Sequence, residues 1–154
     1  MIDKATREKI ISLIRREVVP ALGCTEPIAV SLAVAKATEL LGMQPEEINL
    51  GLSGNIIKNA MGVGIPGTGM IGLPIAIALG SLIGKSEYGL EVLKEVSPEA
   101  VDRGKAFIES VPINIKHLPD SPSNLHVDVE VRAQGHSARA VISREHTFFC
   151  LLYT

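Results

Sequence analysis

The longest stretch without a charged residue limits what this chain can fold into. It runs from Asn59 to Gly84 and is rich in apolar residues and glycine. A segment of this kind either crosses a membrane or is buried inside a protein. Pro66, Pro74 and the repeated glycines break it before an apolar helix long enough to span a bilayer can form. The stretch therefore predicts a buried part of a globular protein, with no membrane partner.

The composition fits one globular domain. The chain has 154 residues and a formal net charge of −2 at pH 7. Its basic residues are scattered and only 3% of its residues are aromatic, which argues against a nucleic-acid partner. The N-terminus lacks the apolar segment of a signal peptide, so a cytoplasmic location is expected. A reducing cytoplasm disfavours a disulfide between Cys24 and Cys150.

Helical periodicity dominates the first two thirds of the chain. Four helices are predicted, between Asp3 and Pro20, at Glu26–Leu41, at Met70–Ile83 and from Ser97 onward. Asp3 is expected to cap the first helix. The second is apolar on nearly all sides and is predicted to be buried, with Thr25 as its N-cap and Gly42 at its end.

Alternation with period two predicts strands. A short buried strand is expected at Ile48–Leu52, and three antiparallel neighbours are expected at Val111–Lys116, Leu125–Val131 and Ser137–Ser143. In the middle strand of these three, His126 alternates with valines and is predicted to face solvent. The predicted fold class is α+β, with buried N-terminal helices and a glycine-rich loop packed against a small, mostly antiparallel sheet.

The loop after the first predicted strand has the composition of a binding site. Ser53, Asn55, Lys58 and Asn59 follow the strand end, where polar side chains can converge on a ligand. The glycines that follow allow the backbone to expose N–H donors to an anion. This predicts a site for a carboxylate or phosphate. From spacing alone, a plain glycine-rich connection between two packed elements is equally well supported.

Two nucleotide-binding patterns are incomplete in this chain. Gly62, Gly64 and Gly67 spell the dinucleotide fingerprint, but the preceding strand ends several residues too early and Pro66 interrupts the loop. Residues 80–86 are one residue short of a P-loop and follow an apolar helix where a P-loop would precede one. Neither pattern predicts a nucleotide site.

Cys24 stands at the predicted start of the buried helix. Free N–H groups and the helix dipole stabilise a thiolate there and lower its pKa, which makes Cys24 a candidate base or nucleophile. A small core residue is the equally supported alternative. Thr25 and Glu26 have ordinary roles in the first turn of a helix, Thr25 as a cap and Glu26 as an acid that interacts favourably with the helix dipole.

The four histidines do not have the spacing of metal ligands. Only His146 is a site candidate.

Four segments together resemble the L-cysteine desulfidase family, whose members are similar to the alpha chain of iron-sulfur L-serine dehydratases. They are Ala21–Pro27, Ser53–Asn59, Gly64–Thr68 and Gly89–Leu93. The resemblance implies a lyase of amino-acid catabolism that removes hydrogen sulfide or water from a small L-amino acid without pyridoxal phosphate. A four-iron (4Fe-4S) cluster would act as the Lewis acid.

The resemblance also implies roles for particular residues. Cys24 is the expected base or proton carrier. Two further catalytic candidates come from the residues themselves: Lys58 could add charge complementary to a carboxylate, with an ordinary surface lysine as the equally supported alternative, and His146 lies near the end of the last predicted strand. Substrate contacts are expected from Thr25, Glu26, Ser53, Gly54, Asn55, Asn59, Gly67 and Thr68.

The chain departs from that family in its length and its cysteines. Members are much longer, and their cluster-binding cysteines would follow position 154. Two cysteines cannot supply three cluster ligands and a separate catalytic thiol, so no metal is expected on this chain. Residues 1–154 are therefore predicted to be one domain, the N-terminal half of an iron-sulfur lyase that is inactive alone, with an altered tail at 147–154.

Two alternatives stay open at this point. One is a stand-alone module that binds an amino acid or small anion. The other is a structural subunit that completes a separate, cluster-bearing chain. Cysteine and serine are not distinguished as substrates. The apolar last strand predicts self-association if it leaves an exposed edge.

Overall fold

A computed structural model describes residues 2–154 and confirms the predicted α+β class. The helices are α1 (Lys4–Glu17), α2 (Thr25–Leu41), α3 (Gly54–Ala60), α4 (Leu73–Ile83) and α5 (Pro98–Ser110), with a 3₁₀ segment at Ser86–Glu91. The strands are β1 (Glu47–Leu52), β2 (Gly64–Ile65), β3 (Met70–Ile71), β4 (Ile113–His117), β5 (His126–Ala133), β6 (His136–Ser143) and β7 (Phe149–Tyr153). Within residues 2–154, no helix combines the length and apolarity needed to cross a membrane.

Helix α2 is the centre of the molecule, as its apolar sequence predicts. It packs against β5 and β6 on one side and against α4 on the other. The buried Ser31 hydroxyl donates a hydrogen bond of 2.8 Å to the Ala76 carbonyl of α4. Gly80 of α4 lies so close that a Cβ there would be 2.6 Å from the Ser31 carbonyl oxygen. Because α2 is covered on two sides, it has no polar face.

The main sheet has five strands in the order β4-β1-β5-β6-β7, and a separate hairpin pairs β2 with β3. Strands β5 and β6 are antiparallel neighbours, as predicted. The prediction was wrong for β4, which pairs in parallel with β1, while β1 pairs antiparallel with β5. Alternation assigns side chains to the two faces of a strand but does not specify its neighbours. The helices between β1 and β4 return the chain in the same direction, which a parallel pair requires.

Three elements differ from the sequence prediction. The expected binding loop contains helix α3. The helix predicted from Met70 starts at Leu73, because Met70 and Ile71 pair with the β2 strand. Gly72, at φ +87°, turns the chain from this hairpin into α4. The tail forms strand β7, which pairs antiparallel with β6.

Helix α1 forms where it was predicted, but within residues 2–154 it has no extensive packing against another helix or strand. The Asp3 side chain accepts a hydrogen bond from the Thr6 N–H at 3.0 Å, which confirms the predicted cap. None of the residues of α1 is buried. The helix therefore extends away from the core.

His126 is buried, which corrects the prediction that it faces solvent. Its side chain is 8% exposed, and Nδ1 lies 3.1 Å from the Ser143 hydroxyl of β6. That hydroxyl also lies 3.1 Å from the hydroxyl of Ser123, in the segment before β5. The strand pattern does not reveal this neighbouring segment. Burial lowers the pKa of His126.

Candidate functional site

Cys24 is the N-cap of α2, one residue before the predicted cap at Thr25. The chain reaches this position through Gly23, which has φ +82°. A Cβ at Gly23 would lie 2.6 Å from Cγ of Pro66, at the tip of the β2–β3 hairpin. Glycine is therefore required both by the backbone conformation and by the close contact. The hairpin tip holds the turn that positions Cys24.

Three side chains donate hydrogen bonds to the Glu26 carboxylate. The Cys24 thiol donates to Oε2 at 3.1 Å, and the Thr25 hydroxyl donates to the same oxygen at 3.2 Å. The Asn59 amide donates to Oε1 at 3.4 Å and to Oδ1 of Asn55 at 3.4 Å. We call Cys24, Thr25, Glu26, Asn55 and Asn59 the Cys24 cluster. It joins the start of α2 to one face of α3.

The geometry reverses the predicted ionisation of Cys24. Burial, followed by the hydrogen bond to Glu26, raises the pKa of the Cys24 thiol. Backbone N–H groups at the helix start act in the opposite direction, as the sequence predicts, but are outweighed. The same thiol hydrogen bond is the main reason that the pKa of Glu26 is lowered. The site therefore pairs the thiol with a carboxylate, and these contacts shift the pKa of Cys24 in the direction opposite to the one expected from the helix start alone.

Two candidates in or next to α3, Lys58 and Ser53, are not part of the cluster. Lys58 is exposed in the last turn of α3 and has no ion-pair partner within the part of the chain that is described. Ser53 is 1% exposed. Its hydroxyl donates to the Asn124 carbonyl at 2.7 Å and accepts from the His126 N–H at 3.2 Å. Ser53 thus joins the end of β1 to the start of β5, and its substrate contact stays a prediction.

The two candidates in the β2–β3 hairpin are Gly67 and Thr68, and their contacts are structural. Gly67 has φ +76°, and a Cβ there would lie 2.5 Å from Cγ1 of Val96. The Thr68 hydroxyl donates to the Ile65 carbonyl at 2.7 Å and accepts from the Met70 N–H at 2.9 Å. These bonds fix the turn of the hairpin that contacts Gly23. Roles of Gly67 and Thr68 in substrate binding stay predictions.

Two histidines have unexpected positions. His117 lies against the start of α3, with Nε2 3.0 Å from where a Cβ on Gly54 would be. This contact depends on the parallel β1–β4 pairing, in which His117 lies opposite Leu52, so histidine spacing alone does not predict it. His146 lies in the turn between β6 and β7, and its Nε2 is buried without a hydrogen-bond partner among residues 2–154. No hydrogen bond joins it to the Cys24 cluster within that part of the chain, and its catalytic role stays a prediction.

The described residues do not fit an iron-sulfur cluster. Cys24 and Cys150 are both free thiols, and Cys150 is exposed on β7. Among residues 2–154, no group of three or more His, Cys, Asp or Glu side chains is placed to hold a metal ion. Any such cofactor would have to be bound by other parts of a longer protein.

A concave region lies on the outer face of the sheet, and no residue of the Cys24 cluster lines it. It is a shallow groove of about 450 Å³ whose lining includes Lys116, Asp128 and Arg139. Arg139 and Asp128 form a two-pronged ion pair across β5 and β6. The acidic and basic side chains that line the groove are equal in number. The groove therefore has little net charge with which to bind a charged ligand, and the thiol-carboxylate pair is the stronger candidate for a site.

Comparison with known proteins finds relatives that are much longer. A UPF0597 protein of Phocaeicola vulgatus is 62% identical over 149 residues, covering 97% of this chain and 35% of the relative. A UPF0597 protein of Bacteroides thetaiotaomicron is 56% identical over 151 residues, or 98% of this chain and 35% of the relative. A UPF0597 protein of Aeromonas hydrophila is 47% identical over 149 residues, which cover 97% of this chain and 34% of the relative. This chain spans about a third of the length of these curated relatives.

These relatives correct the expected family. They carry the name UPF0597, which states no activity, and none of the three is named a cysteine desulfidase. The assignment to the L-cysteine desulfidase family was therefore wrong. No protein-family model matches the chain. No solved structure matches it either. The partial coverage is consistent with the expected portion of a longer protein.

Proposed function

We propose that this chain is the portion of a longer enzyme that carries its small-molecule site, and that this site transfers protons. The observation that supports the proposal is the 3.1 Å hydrogen bond from the Cys24 thiol to the Glu26 carboxylate. The pKa of the thiol is raised and that of the carboxylate is lowered. When the surroundings of two groups separate their pKa values in this way, the group with the raised pKa serves as the acid and the group with the lowered pKa serves as the base. Cys24 is the proton donor and Glu26 the acceptor.

Beta-elimination from a small L-amino acid is the specific reaction that we propose. The Glu26 carboxylate takes the alpha proton, and the electron pair left on the alpha carbon forms a double bond to the beta carbon. The bond to the beta substituent breaks, and the substituent leaves with its electron pair and takes the Cys24 proton. The proton on Glu26 then returns to the Cys24 thiolate along their hydrogen bond. Each group ends in its starting state.

The test is exchange of the alpha proton of L-serine in deuterated water, followed by proton NMR. We expect the protein to catalyse exchange and Glu26→Gln to lower the rate at least about a hundredfold, the low end of the contribution typical of a general base. Glu8→Gln is the matched control, because Glu8 is exposed on α1, outside the cluster. No exchange above the buffer rate with the unaltered protein would overturn the proposal. Equal rates in both variants would overturn the role of Glu26.

A non-catalytic binding module is the second candidate. Within residues 2–154, no lysine, arginine or histidine nitrogen forms an ion pair with Glu26, so its carboxylate is available to an ammonium group. The amides of Asn55 and Asn59 lie alongside it. Calorimetry with L-serine and with L-lactate, which lacks the ammonium group, distinguishes the candidates. Binding of serine but not lactate, without exchange of the alpha proton, supports this module over the enzyme.

A further inference from the structure

Helix α1 presents an apolar face that is left exposed by the rest of residues 2–154. Its exposed apolar residues recur at helical spacing and are Ile10, Ile11, Leu13 and Ile14, with exposed fractions of 41%, 38%, 50% and 52%. We call these four residues the α1 face. An isolated helix of 14 residues is marginally stable in water, and an amphipathic helix normally gains its stability by burying its apolar side. The α1 face therefore lacks the cover that such a sequence normally has.

The sequence of this helix belongs to the region that the longer relatives share. The match to the Bacteroides thetaiotaomicron protein takes in 98% of this chain, so most of α1 lies within the shared region. That relative has about two thirds of its length outside the match. In such a protein, a large part of the same polypeptide is available to cover the α1 face.

The charges of α1 indicate what the covering surface must contain. The helix carries five basic and two acidic side chains, whereas the whole chain has a formal net charge of −2. Arg16 pairs with Glu17, its neighbour in sequence. A matching surface needs an apolar groove with acidic side chains on its rim.

We propose that the α1 face docks into an apolar groove with an acidic rim, formed by the remaining two thirds of the longer chain. The exposed apolar surface continues from α1 through Val18 and Val19, which are 69% and 51% exposed. The chain then leads through Gly23 to Cys24. The docking rests on the proposal that this chain is one part of a longer protein whose small-molecule site is the Cys24 cluster. This docking does not depend on proton transfer at that site.

Hydrogen exchange on two proteins tests the proposal. One is this 154-residue chain, and the other is the full-length Phocaeicola vulgatus relative, measured under the same conditions. We expect the α1 amides of the short chain to exchange nearly as fast as those of an unfolded peptide. The matching amides of the long protein should exchange at least a hundredfold more slowly, because burial of the face suppresses local opening.

Aspartate substitutions locate the contact. In the long protein, aspartate at the two positions aligned with Ile10 and Ile14 should restore fast exchange. Aspartate at the position aligned with Ser12, on the opposite side of the helix, should not. Raising the salt concentration should speed exchange of the long protein only modestly, since the groove is mainly apolar.

Two results would overturn the docking. One is equally fast exchange of α1 in both proteins, which would show that the longer chain leaves the face uncovered. The other is protection in the short chain that rises with its concentration, which would assign the face to contact between two copies. Slow, concentration-independent exchange confined to the long protein is the supporting result.

Discussion

Helices α1 and α2 have similar lengths but opposite relations to the rest of the protein. Helix α1 has 14 residues and none is buried, whereas ten of the 17 residues of α2 are buried. Capping does not explain the difference, since α1 has a side-chain cap and α2 has none. Tertiary packing therefore distinguishes the two helices and is the main source of stability for α2. The candidate site lies at the start of the packed helix.

Truncating one leucine in each helix should give the largest contrast. Leu32 of α2 is 1% exposed, and Leu13 of α1 is 50% exposed. Leu32→Ala should lower the free energy of unfolding by about 2–5 kcal/mol, because it leaves a cavity in the core. Leu13→Ala should cost less than about 0.5 kcal/mol. Urea denaturation of the two variants measures both, and equal losses would mean that α1 is packed in solution.

Adding a methyl group at the contact between α2 and α4 should have the next largest effect. A Cβ on Gly80 would lie 2.6 Å from the Ser31 carbonyl oxygen, so Gly80→Ala should cost about 1–3 kcal/mol through overpacking. Gly62→Ala is the control, because no atom lies within 4 Å of the Cβ that it would add. Thermal unfolding compares the two. An unchanged melting temperature for Gly80→Ala would show that the helices are farther apart than described.

Sequence periodicity predicted the packed helix well and the irregular segments poorly. The apolar run of α2 and its end at Gly42, which has φ +74°, followed from residue type alone. Helix α3 was missed because it has only seven residues, and its glycine start resembles a loop. The place of β1 between β4 and β5 depends on long-range pairing, which alternation does not encode.

The candidate site was predicted in position but not in its electrostatics. Cys24 lies at the start of a buried helix, as the sequence indicated. A helix start alone predicts a lowered thiol pKa. Burial and the Glu26 oxygen 3.1 Å away have the opposite effect, and neither can be read from the spacing of Cys24 and Glu26. Recruitment of Asn59 depends on how α3 packs against α2.

A smaller effect is expected from His126, whose burial contrasts with the exposed His136 at the other end of the β5–β6 pair. Burial lowers the pKa of His126 in the folded protein, so the unfolded chain binds a proton more readily. Stability should therefore fall as pH drops from about 6.5, the ordinary histidine value, through the lowered folded pKa. His126→Gln should flatten this part of the profile, measured by urea denaturation between about pH 7 and 5. A profile with no slope in the unaltered protein would contradict the burial of His126.

The pKa of the Cys24 thiol tests most directly whether the packed start of α2 pairs a neutral thiol with a carboxylate. The rate of alkylation against pH is measured in Cys150→Ser protein, where Cys24 is the only thiol. We predict a midpoint above about 8.5, the ordinary cysteine value, and a lower midpoint when Glu26→Gln removes the charge. Glu8→Gln should leave the midpoint unchanged. A midpoint below about 8.5 that does not respond to Glu26→Gln would contradict the pairing and restore the thiolate that the sequence alone predicts.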